Sequence, residues 1–66
     1  MKYWNRKEER KGNWTCVVVV SNDYNKERLK WCREYPSNGR FYRYYGNSNW
    51  WFEYPEDAVM FAMKWS

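Results

Sequence analysis

Apolar and polar positions along this chain fall into blocks of two different periods. The block WTCVVVV, residues 14–20, is almost wholly apolar and rich in β-branched side chains, and Ser21-Asn22-Asp23 closes it. A run that is apolar on both faces predicts a central β-strand. Residues 22–35, NDYNKERLKWCREY, switch to helical spacing: Leu29 and Cys32 share one side, Tyr24, Trp31 and Tyr35 flank it, and Lys26, Glu27, Lys30, Arg33 and Glu34 suit solvent. Asn22 or Asp23 is the expected N-cap, accepting a free backbone N–H. Pro36-Ser37-Asn38-Gly39 stops the helix and turns the chain.

Two aromatic strands follow, RFYRYY and NWWFEY, separated by the turn-forming Gly46-Asn47-Ser48, and together they predict a β-hairpin. Pro55 suits the first position of a second helix, where its missing N–H costs nothing, and Glu56 and Asp57 suit the positive end of the helix dipole. Ala58, Phe61, Ala62 and Trp65 then recur at i, i+3, i+4 and i+7, an apolar stripe that faces a sheet. The order is β-α-β-β-α over a single α+β domain, residues 1–66, with both helices on one face, a ferredoxin-like arrangement without its last strand. Residues 1–13 are either a flexible basic tail or an added edge strand, in which Lys2-Tyr3-Trp4 pairs with the strand at 14–20.

Strand alternation sorts the rings. Arg43 and Glu53 are costly to bury beneath helices unpaired, so Phe41, Tyr45 and Trp51 are expected to share the outer face with them and with Thr15, Val17 and Val19. The opposite set, Cys16, Val18, Val20, Tyr42, Tyr44, Trp50, Phe52 and Tyr54, is expected to form the core with Leu29, Cys32, Ala58, Phe61, Ala62 and Trp65. Phe41, Arg43, Tyr45, Trp51 and Glu53 are therefore the candidate partner-binding residues. A competing reading has the N-terminal segment cover the outer rings.

Composition sharpens this picture. Six Trp, seven Tyr and three Phe in 66 residues supply large buried areas to a chain whose core alone yields about 3–5 kcal/mol. They also exceed what one small interior needs, so clustered outward rings point to a contact surface. Trp, Tyr, Phe and Arg are enriched at protein interfaces and lysine is depleted, and residues 39–54 contain no lysine. A homodimer is the first expectation, with another protein as the other kind of protein partner. Base stacking of RNA or single-stranded DNA on the same face is the alternative, encouraged by a basic N-terminus. Of the net charge of +4, residues 1–11 carry +3, five basic side chains against two acidic.

Enzyme chemistry is not expected. The chain has no histidine for proton transfer near neutral pH, and two cysteines without histidine do not complete a zinc site, so neither metal nor cofactor is expected. Cys16 and Cys32 read as buried small hydrophobes. Without an apolar run long enough to span a bilayer or act as a leader, no membrane association is expected and the chain is placed in a cytoplasm with reduced thiols.

The C-terminal stretch WWFEYPEDAVMFAMKWS resembles the ends of small uncharacterised proteins encoded by tailed bacteriophages, including those of marine cyanobacteria. In those proteins a strand ending Phe-Glu leads into an acidic helix start, then Asp-Ala, Phe, and a basic residue before Trp. The matching residues are Phe52, Glu53, Glu56, Asp57, Ala58, Phe61, Lys64 and Trp65. The resemblance implies a viral protein working inside a host bacterium by binding a host protein, and it implies no catalytic residues.

Overall fold

The computed structural model describes residues 1–5, 12–19, 21, 23–43 and 48–65. Its elements are β1 (Lys2–Tyr3), β2 (Thr15–Val18), α1 (Asn25–Glu34), β3 (Arg40–Arg43), β4 (Asn49–Phe52) and α2 (Pro55–Lys64). The expected hairpin is present: β3 and β4 pair antiparallel, with Phe41 opposite Phe52 and Arg43 opposite Trp50. Gly46 and Asn47 of its expected turn, and Tyr44, lie outside the described residues. On the far side of β4, β2 pairs antiparallel, Val17 opposite Trp50 and Cys16 opposite Trp51. Because β2 and β3 are each antiparallel to β4, they run the same way with β4 between them, joined by α1. The β-α-β-β-α arrangement expected from the sequence is thus the one observed.

The N-terminal strand forms at the opposite edge from the one expected. The sheet order is β1-β3-β4-β2, and β1 runs parallel to β3 rather than pairing with β2. Main-chain bonds hold it there: the Lys2 N–H donates to the Gly39 carbonyl at 3.3 Å and the Trp4 N–H to the Phe41 carbonyl at 2.7 Å. The anchor is Met1. Its ammonium group donates to the carbonyls of Cys32 at 2.8 Å and Tyr35 at 2.6 Å, at the end of α1. The last carbonyls of a helix have no partner within it and carry the negative end of the dipole, so a cation there is favoured. α1 ends beside the start of β3, and the segment tethered to it therefore lies along β3.

α1 starts later than a cap at Asn22 or Asp23 requires. Tyr24 is the N-cap, without a side-chain cap bond, and its carbonyl accepts the Arg28 N–H; Asn22 lies outside the described residues. In α2, Pro55 occupies the first turn with Glu56 and Asp57, as its sequence predicts. Both helices pack on one face of the sheet. Phe61 is the hub, with its ring 4.9 Å from Phe52, 5.0 Å from Trp50 and 6.1 Å from Trp31 of α1. Cys32, Phe41, Trp50, Phe52, Ala58 and Phe61 are fully or nearly fully buried, and Leu29, Trp31 and Trp65 pack against them. Burying each large side chain contributes about 1.5–3 kcal/mol, so this layer is the principal source of stability.

Candidate interaction surface

The structure divides the sequence-predicted surface between two faces. Phe41 is 0% exposed and lies beneath the helices, 5.1 Å from the Tyr3 ring and 6.4 Å from Phe52. Arg43 shares that face, its Cζ 5.3 Å above the Trp50 ring. Trp51 and Glu53 lie on the outer face as expected, and Tyr45 lies outside the described residues. The assignment of Phe41 and Arg43 to the outer face is therefore corrected. Charge does not keep Arg43 on the outer face, because across the hairpin it stands opposite Trp50. The register puts Arg40 opposite Glu53, and Arg40 supplies two bonds, Nε to Oε1 at 3.1 Å and Nη2 to Oε2 at 2.9 Å. Arg40 and Arg43 are three apart in a strand, so one of them must face the helices whichever parity holds.

The parity of β2 is reversed in the same way. Val17 and Val19 face the helices, Val19 being buried and Val17 packing on the core, while Cys16 and Val18 face outward. Tyr42 moves to the outer face and Tyr54 is exposed, so neither joins the core; Val20 lies outside the described residues. Trp50 and Phe52 are in the core as expected.

A second aromatic layer covers the outer face. The Trp4 ring lies 4.9 Å from Tyr42, the Trp14 ring 5.5 Å from Tyr42, and the two tryptophans 6.2 Å from each other. Tyr42 also stacks on Trp51 at 6.2 Å with planes 10° apart, and the Arg40 guanidinium sits 5.6 Å over Trp14. Trp14 is 8% exposed and Tyr42 3%. Trp4 of the N-terminal segment thus covers Tyr42 and Trp14, a part of what the competing reading of the sequence expects. Trp14 precedes β2 in the same parity as Cys16, and that spacing was the available signal. The placement of Trp4 depends on β1 joining β3, which no local pattern announces.

What stays open is elsewhere. Among the described residues, Val18, Tyr24, Tyr54, Val59, Met60 and Met63 are the exposed large hydrophobics. Val59, Met60 and Met63 lie on the outward side of α2, opposite Ala58 and Phe61, beside the exposed Glu56 and Lys64. At the sheet's end, β2 has no strand on its outer side among the described residues. The other end is closed differently. Beyond the two-residue β1, the Tyr3 hydroxyl donates to the Arg43 carbonyl at 3.1 Å and accepts the Arg43 N–H at 3.2 Å, satisfying that edge of β3.

The reactive side chains have structural surroundings. Burial pushes the Cys32 thiol up to about 12, with Asp57 adding to the rise and the Met1 ammonium opposing it. Cys16, half-exposed on the outer face rather than in the core, is also raised by burial, partly offset by a backbone hydrogen bond from Trp50. Raised thiol values leave little thiolate to act as a nucleophile. Asp57 is buried and accepts the Ser37 hydroxyl at 2.7 Å, while Ser37 Oγ accepts the Gly39 N–H at 3.1 Å. This ties the turn before β3 to the first turn of α2. Arg28, which the pattern did not single out, is buried: Nη1 donates to the Ser21 carbonyl at 2.8 Å and to Asn25 Oδ1 at 3.1 Å, with Cζ 5.4 Å over Trp65.

Among the described residues no cluster of His, Cys, Asp or Glu is arranged to hold a metal ion, and no helix is long and apolar enough to cross a membrane. Comparison with known protein families, curated proteins and solved structures finds no match to this chain.

Proposed function

We propose that this chain is a small, non-enzymatic, phage-encoded protein-interaction module of the host bacterial cytoplasm, acting by association with itself or with a host protein. The observation that carries the reading is the outward side of α2. Val59 and Met63 are 56% and 69% exposed on a helix whose other side already fills the core, and Met60 adjoins them. Monomeric proteins seldom leave several large apolar side chains together on one helix face, and methionine adapts readily to a partner's surface. A 66-residue chain also gains stability by association that its own core supplies only thinly.

Base stacking, the alternative, keeps less support. Tyr42 is covered by Trp4 and Trp14, and among the described residues of β3 and β4 Trp51 is a half-buried ring on the outer face.

Light scattering at micromolar concentration, combined with capture from bacterial lysate, tests the proposal with wild type and a Met60→Glu/Met63→Glu variant. The expected result is a dimeric mass, or a captured protein that the variant fails to hold. A monomer whose captures are unchanged in the variant removes the reading.

A further inference from the structure

Resting on the self-association in that proposal, we infer where two copies join: β2 pairs antiparallel with β2 of a second copy across a two-fold axis at Val17, making one continuous eight-stranded sheet. The hydrogen-bonding directions of β2 carry the argument. The Val19 N–H donates to the Ser48 carbonyl at 3.0 Å, so Val19 points its backbone groups at β4. Backbone direction alternates along a strand, so Thr15 and Val17 also bond inward, and the N–H and C=O groups of Cys16 and Val18 point away from the sheet. Those groups require a strand partner or water.

This edge is built unlike the other. The β1 edge has a strand of two residues, carries Lys2, and has the Tyr3 hydroxyl closing the ladder beyond it. Short edge strands and lysines are how sheets discourage pairing with other chains. β2 has neither device: Thr15–Val18 holds no charge and no proline, and Val18 is 69% exposed. Such an edge is a template for another strand.

The chemistry also names the occupant. An uncharged strand of β-branched residues and one cysteine is its own complement under two-fold symmetry, with no charge to repel its copy. Antiparallel pairing through outward-pointing groups allows Cys16 opposite Val18 of the second copy and Val18 opposite Cys16. That register centres on Val17 and overlaps the whole strand. On the outer face it covers Val18 with the other copy's Cys16, and on the helix face it sets the two Val17 side chains together. Because α2 packs over β2, the second copy's α2 then lies alongside the first.

The test uses the full chain in three forms: wild type, Val18→Pro, and Val18→Lys. Val18 spends no N–H on β4 and its side chain is exposed, so both variants keep the fold, checked by circular dichroism. Sedimentation equilibrium is expected to give a wild-type dimer and at least about tenfold weaker association in both variants, because Val18→Pro removes one of the paired N–H groups from each copy and Val18→Lys puts a charge from each copy at the seam. Amide exchange by NMR supplies the positional readout. The Cys16 and Val18 amides should exchange slowly in the wild-type dimer; Cys16 should exchange fast in both variants and position 18 fast in Val18→Lys, proline having no amide N–H, with Val17 and Val19 protected throughout. A dimer in which Cys16 and Val18 exchange freely, or which both variants retain, overturns the edge pairing while leaving self-association standing. A strictly monomeric wild type overturns the pairing and leaves host-protein binding as the functional reading.

Discussion

Arg40 and Glu53 hold each other twice over, by side chain and by backbone. Glu53 Oε1 accepts both the Arg40 backbone N–H at 3.0 Å and Nε at 3.1 Å, Oε2 accepts Nη2 at 2.9 Å, and the Glu53 N–H returns a bond to the Arg40 carbonyl at 2.9 Å. The hydrogen bonds from Arg40 lower the Glu53 carboxyl below its ordinary value of 4.5, with its charge acting in the same direction and burial opposing. A depressed carboxyl stabilises the fold above its unfolded value and loses that contribution as pH falls through the folded value. Stability should therefore decline on acidification below about 4.5. Denaturant titrations of wild type and Glu53→Gln should differ by about 1 kcal/mol at neutral pH and converge in acid. A constant difference across pH would dismiss the pair's electrostatic role.

Phe61 is the most costly single truncation. It touches rings from α1 and from β4, so Phe61→Ala opens a cavity where two elements meet, at about 3–5 kcal/mol. For a chain this small that equals the whole stability. Thermal melting followed by circular dichroism should show no cooperative transition, and a transition near the wild-type temperature would mean that the hub lies elsewhere.

Gly39 is required by space. A Cβ there meets Asp57 Oδ2 at 2.5 Å and Tyr54 Cδ2 at 2.9 Å, so Gly39→Ala must push α2's first turn away or break the Ser37–Asp57 bond. The expected cost is about 1–3 kcal/mol in chemical denaturation. Neutral behaviour would show that this junction yields without strain.

The two thiols should separate in alkylation with iodoacetamide at mildly alkaline pH. Cys16 is half-exposed and reacts first, while Cys32, fully buried and raised to about 12, reacts only as the chain unfolds. Equal rates in the folded protein would contradict the burial of Cys32. The same shift makes the fold less stable at high pH: the unfolded thiol ionises near 9.0 and the folded one only near 12, so the contribution is intact below 9.0 and drains away between these values.

Local pattern was enough for the elements and their order. β-Branched and aromatic runs marked β2, β3 and β4, Pro55 with its acidic neighbours marked the start of α2, and helical spacing placed Leu29, Cys32, Ala58 and Phe61 toward the core. These properties depend on neighbours a few residues away. Face assignment was a weaker inference, because β2 is apolar on both sides and β3 has an arginine on each, so neither parity is excluded by charge.

Pairing across the sheet settled those points. The Phe41–Phe52 register joined Glu53 to Arg40 and sent Phe41 under the helices, and the Met1 ammonium at the end of α1 drew β1 to β3, carrying Trp4 over Tyr42. Alternation along a strand tells which side chains share a face, but which face is buried depends on partners more than ten residues away. A one-residue change of parity exchanges every interior ring for an exterior one.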